Sequence, residues 1–98
     1  SGLTQLAARL TGKLLPRDAS DQVNCGDLIA WELRDTDDLA FFQNNDGLIT
    51  HVGILVTRDS VVHASGEVRI DLLTKEGIVH SEIGGLTHRL HCIKRLQE

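Results

Sequence analysis

Two apolar runs with a turn between them constrain this chain more than anything else in it. Residues 50–56 (THVGILV) and 61–66 (VVHASG) are dominated by β-branched and aliphatic side chains, which suit a pleated, half-buried surface. Arg58, Asp59 and Ser60 supply the turn. The pattern predicts neighbouring strands over 51–56 and 60–64. Side chains on a strand alternate faces. His51 therefore shares a face with Gly53 and Leu55, while Val52, Ile54 and Val56 take the other. His63 shares a face with Val61 and Ser65. Each histidine stands inside an apolar run, where a plain core strand has no use for it. In a hairpin the two imidazoles can meet across the ladder, one orienting the other, as the base and orienter of a nucleophilic triad do. The nucleophile is the missing part.

Around this hairpin the pattern is uneven. Leu3, Leu6, Ala7 and Leu10 fall at helical spacing and predict a helix over 2–11, with Gly12 as its C-terminal cap. Leu15-Pro16 is extended, because the residue before proline avoids the helical region. Residues 27–33 (DLIAWEL) read as a strand. Residues 34–50 read as a polar connection around Leu39–Phe42, either a turn of helix or a short strand. A bend at Gly66 leads into Val68–Asp71. Residues 72–87, with three glycines, look irregular. Residues 88–96 read as a final strand with Leu90 and Cys92 on one side. The expected fold class is α+β: an N-terminal helix packed on a mostly antiparallel sheet or small barrel of about five strands.

Ninety-eight residues make one domain, able to bury about 60–65% of its unfolded surface. The net charge of −4 argues against nucleic acid or an anionic membrane surface, which call for a basic footprint. No transmembrane run is present, so no membrane insertion is expected. Cys25 and Cys92 fit no metal spacing and no disulfide scaffold; they read as buried free thiols or as a pair. His88 and His91 suggest a metal pair only superficially, because i and i+3 on a strand point to opposite faces. No metal and no cofactor are expected. His80 reads as a surface loop residue.

Taken together, Ser1-Gly2-Leu3-Thr4, then Leu15-Pro16-Arg17-Asp18-Ala19-Ser20 with Gln22, then Gly26-Asp27-Leu28, His51-Val52-Gly53-Ile54 and His63-Ala64-Ser65 resemble the NlpC-type cell-wall cysteine peptidases. These are papain-like enzymes. No single motif is decisive, but five in order cover nearly the whole chain. Residues 17–20 (RDAS) and the tail look most like the branch that cleaves γ-D-glutamyl–diamino acid bonds in peptidoglycan peptides.

The resemblance implies the following roles. The family's first motif reads Asp-Cys-Ser-Gly-Leu, so the nucleophilic cysteine is expected immediately before Ser1, at a helix N-terminus that favours a thiolate. The expectation is a single NlpC-type domain over 1–98, lacking its N-terminal part. His51 is the general base and later the acid. His63 holds His51 in its productive tautomer. Gly53 leaves room for substrate. Asp18 and Ser1 contact the substrate, a stem peptide with a free N-terminal L-Ala, whose ammonium a carboxylate binds by charge-assisted hydrogen bonding. On the residues alone, Asp18 reads equally as a turn cap after Pro16, and Ser1 as a helix cap. Cys25 is not at a helix N-terminus and is a poor substitute nucleophile. The implied setting is the bacterial envelope, or the cytoplasm for an enzyme of wall-peptide recycling, with upstream wall-binding domains a common family feature. Two other functions fit the scaffold: a non-catalytic wall-peptide binding module, and an amidase or acyltransferase.

Overall fold

The computed structural model describes residues 26–65 and 67–95. Seven strands make one antiparallel sheet: β1 (Asp27–Ile29), β2 (Leu39–Gln43), β3 (Ile49–Thr57), β4 (Ser60–Ser65), β5 (Glu67–Leu73), β6 (Gly77–Val79) and β7 (Leu86–Arg95). The strands β2 to β6 follow in chain order, each pairing with the next, and β7 pairs with both β2 and β6. The sheet therefore closes into a six-stranded barrel, with β1 added to the far end of β7. Closure leaves few open edges to pair with another chain.

This corrects the α+β, papain-like expectation. Among the described residues there is no α-helix, and the barrel has more strands than the five expected. The predicted helix over 2–11 lies outside the described residues. The strand expected over 27–33 stops at Ile29, and Trp31–Leu33 form one 3-10 turn. Arg34 holds that turn, stacking its guanidinium 3.6 Å over the Trp31 ring and donating to the Trp31 carbonyl.

Residues 39–42 are a strand, and the reason the sequence left them open is visible. Leu39, Ala40, Phe41 and Phe42 are all buried, at 4% exposure or less. A strand covered on both faces shows a continuous apolar run, not an alternation. Ala40 and Phe42 face the barrel interior with Leu55, Val61, Leu73, Ile78 and Ile93. Leu39 and Phe41 face outward with Val52, Ile54 and Val62. The hairpin alternation holds: Leu55 and Val52 fall in different clusters, as predicted.

The segment read as irregular, 72–87, contains the end of β5, the whole of β6 and the start of β7. Gly77 makes this possible. A Cβ there would lie 1.8 Å from the His88 carbonyl oxygen, and φ is +145°, so only glycine lets β6 close on β7. Along β7, Phe41 pairs with Cys92 but Phe42 pairs with Leu90. His91 is the extra residue of a β-bulge. The bulge puts Leu90 and Cys92 on opposite faces, where unbroken alternation expects them on one. Cys92 is a free, half-buried thiol, pushed up by burial against a smaller opposing pull from Lys94. Cys25 lies outside the described residues.

Candidate functional site

The interior of the barrel is divided along its length. Leu55, Val61, Leu73 and Ile93 fill one end. The other end, where β3, β5 and β7 begin, receives His51, His63, Arg69, Asp71 and His88. Antiparallel register brings them together. Gly53 pairs with His63, His63 with Arg69, and Phe42 with His51. The bulge at His91 restores the inward face to His88.

His51 and His63 meet as the hairpin predicts, Nε2 to Nδ1 at 2.8 Å. The other nitrogen of His63, Nε2, lies 2.8 Å from Asp71 Oδ2. Both side chains of that second pair are 2% exposed. Asp71 also accepts from Arg69 Nε at 3.2 Å and Nη2 at 3.3 Å, and from the Ser81 backbone N–H and hydroxyl at 3.0 and 2.9 Å. His88 stacks on His51, centroids 4.1 Å apart with the planes 20° from parallel. Phe42 contacts both rings. His51 is thus gripped at Nε2 and on its faces.

The electrostatics follow from this packing. Burial, joined by the His88 and His63 imidazoles, lowers the His51 pKa to about 3. Burial, and then His63, also lowers His88, against an opposing pull from Asp71. Burial would raise the Asp71 carboxyl, but the hydrogen bonds from Arg69, Ser81 and His63 outweigh it and hold the group well below the usual carboxylate range. A carboxylate, two linked imidazoles and a third stacked beside them can accept a proton at His51 and pass it on to a leaving group.

Gly53 does not open space for substrate. A Cβ there would lie 2.4 Å from Val61 Cγ2 and 3.4 Å from His63 Cβ. The glycine lets β4 approach β3 closely enough for the two imidazoles to bond. One ring nitrogen from each of His51, His63 and His88 lies within 4.8 Å of the others. That spacing alone would admit a metal ion, but both His63 nitrogens are already hydrogen bonded. His91 points elsewhere, to Gln43 Oε1 at 3.1 Å. His80 is half-buried and accepts from the Glu82 and Ile83 N–H groups, as a turn residue.

Ser1, Asp18 and the position before Ser1 lie outside the described residues. Asp71 and His88 were missed by sequence reasoning. The available signal for Asp71 was a charge inside the alternating run 67–73 (EVRIDLL).

A family model, described as NlpC/P60 family, matches residues 1–85. No curated protein and no solved structure matches the chain.

Proposed function

We propose, for a chain that belongs to the NlpC/P60 family, that it is a cysteine peptidase hydrolysing the γ-D-glutamyl–diamino acid bond of peptidoglycan peptides. The family is one of cell-wall cysteine peptidases; the bond cleaved and the residue roles are our reading. The observation that carries it is the 2.8 Å contact between His51 Nε2 and His63 Nδ1, which leaves His51 Nδ1 as the nitrogen for chemistry.

In this reading the nucleophile is the cysteine that the family motif places immediately before Ser1. His51 takes the thiol proton, and the thiolate attacks the γ-carboxyl carbon of D-Glu. The tetrahedral intermediate collapses to a thioester as His51 returns the proton to the leaving amine. Water, deprotonated by the same imidazole, then hydrolyses the thioester. A neutral His51 has the lone pair that the first step needs; burial also makes it a weak base, so the charge of the thiolate formed beside it must stabilise the imidazolium. Asp18 and Ser1 bind the N-terminal ammonium of the L-Ala residue and exclude blocked peptides. The substrate places the enzyme in the bacterial envelope, or in the cytoplasm if it recycles wall peptides.

The test uses the full-length protein with L-Ala-γ-D-Glu-diamino acid peptides, free and N-acetylated. We expect cleavage of the free peptide, weak cleavage of the acetylated one, and loss of turnover in His51→Ala. Binding without turnover would replace this reading with the binding module. Hydrolysis of the amide bond of an N-acylmuramoyl amide in preference to the peptide would replace it with the amidase.

A further inference from the structure

The geometry points to Asp71 as a positioning residue that sets, through two imidazoles, which nitrogen of His51 acts as the base. The inference deepens the proposed function and rests on its reading of His51. It follows from counting donors. Asp71 is held as a carboxylate and can only accept. His63 Nε2, 2.8 Å from Oδ2, must therefore carry its hydrogen and donate it. In the neutral ring that leaves His63 Nδ1 with a lone pair. The atom facing that lone pair at 2.8 Å is His51 Nε2, which must then be the protonated nitrogen of its own ring. The remaining lone pair of the line is on His51 Nδ1, free to accept a proton.

Every neighbour of Asp71 enforces the same polarity. Ser81 N–H and Oγ and Arg69 Nη2 converge on Oδ1, while Arg69 Nε joins His63 on Oδ2. Of these donors, the Ser81 N–H and Arg69 can only donate; the Ser81 hydroxyl can also accept by rotating, and His63 by changing tautomer. Asp71→Asn tests this directly. Its oxygen is expected at the Oδ1 position, where three donors meet. Its amide then faces His63 Nε2 and donates. His63 answers by moving its hydrogen to Nδ1, and His51 must accept there and carry its own hydrogen on Nδ1. The base nitrogen is then occupied. An Asp→Asn change behind a catalytic histidine has this consequence in serine proteases, where kcat falls about 10⁴-fold through the wrong tautomer.

The experiment is 15N NMR of histidine-labelled protein near neutral pH, which separates protonated from lone-pair ring nitrogens, alongside kinetics on the full-length protein. We expect His51 protonated at Nε2 in the wild type and at Nδ1 in Asp71→Asn, with kcat down by about 10²–10⁴ and KM little changed. His51 protonated at Nδ1 in the wild type, the state a doubly protonated His63 would impose, overturns the inference even if the variant fails to fold. So does an Asp71→Asn protein with unchanged tautomers. The NMR result needs no substrate. Tautomers that reverse as expected in a protein that cleaves no wall peptide would uphold the polarity of the line and reject the peptidase reading instead.

Discussion

His51 carries the chemistry in this reading, and its burial also ties the fold to pH. Its pKa is about 3 in the folded barrel, against about 6.5 for an unperturbed histidine. Above pH 6.5 both states hold the ring neutral, and the group adds no pH dependence. Between pH 6.5 and 3 the unfolded chain binds a proton that the folded chain refuses. Stability is therefore present above the unfolded value and lost as pH falls through this window, by up to about 1.4 kcal/mol per pH unit for one such group. His88, lowered in the same direction, adds to the loss. Asp71 acts only lower down, where the unfolded carboxyl takes up protons before the folded one. Urea unfolding at pH 7, 5.5 and 4 should show a falling midpoint, and His51→Gln should make that fall shallower. A midpoint that does not change over this range would mean that His51 is not held neutral.

At the level of strands, two glycines hold the site together, and they should respond differently to a methyl group. In Gly53→Ala the closest atom is a side-chain methyl, Val61 Cγ2, and the nearest backbone atom, the Val62 carbonyl oxygen, is 3.1 Å away, so the clash is mainly with a side chain. Overpacking of this kind costs about 1–3 kcal/mol. The shift also pushes at His63, so the His51–His63 contact should lengthen and peptidase activity fall more than stability. In Gly77→Ala the closest atom is the backbone carbonyl of His88, and φ is +145°, so neither the neighbour nor the chain can give. We expect a larger loss, about 3 kcal/mol or more, or failure to close the barrel. Denaturant unfolding of both variants gives the order. Gly77→Ala as stable as Gly53→Ala would refute the assigned closure. The strands also show why the sequence revealed one half of the site and not the other. The alternation of 50–66 displays His51 and His63 openly. In β5 the pattern misleads, because Val68, Ile70 and Leu72 are 43–50% exposed while Asp71 is buried. The apolar face of β5 points outward, and the carboxylate lies on the interior face. His88 is concealed by the bulge at His91, which no local residue preference announces.

For the whole molecule, the hairpin and the last strand were legible, and the closure was not. The register that brings β7 against both β2 and β6 is set by contacts between residues far apart in sequence, which local patterns do not carry. One such contact is a latch between the start of β2 and the end of β7. Arg95 Nε and Nη2 bind the two oxygens of Asp38 at 2.7 and 2.8 Å, across 57 positions of chain. The Asp38 carboxylate is 2% exposed and Arg95 is 48% exposed, so removing either partner does not have the same effect. Arg95→Met strands a buried charge, whose remaining side-chain partner is the Asp35 N–H. That should cost about 1–3 kcal/mol, less than a fully buried pair because water reaches the arginine side. Asp38→Asn removes the charge that demands a partner. The double variant Asp38→Asn, Arg95→Met should therefore lose less than the sum of the singles, and be at least as stable as Arg95→Met alone. Thermal or urea melts of the four proteins close the cycle. Strict additivity would show that the pair does not latch the barrel.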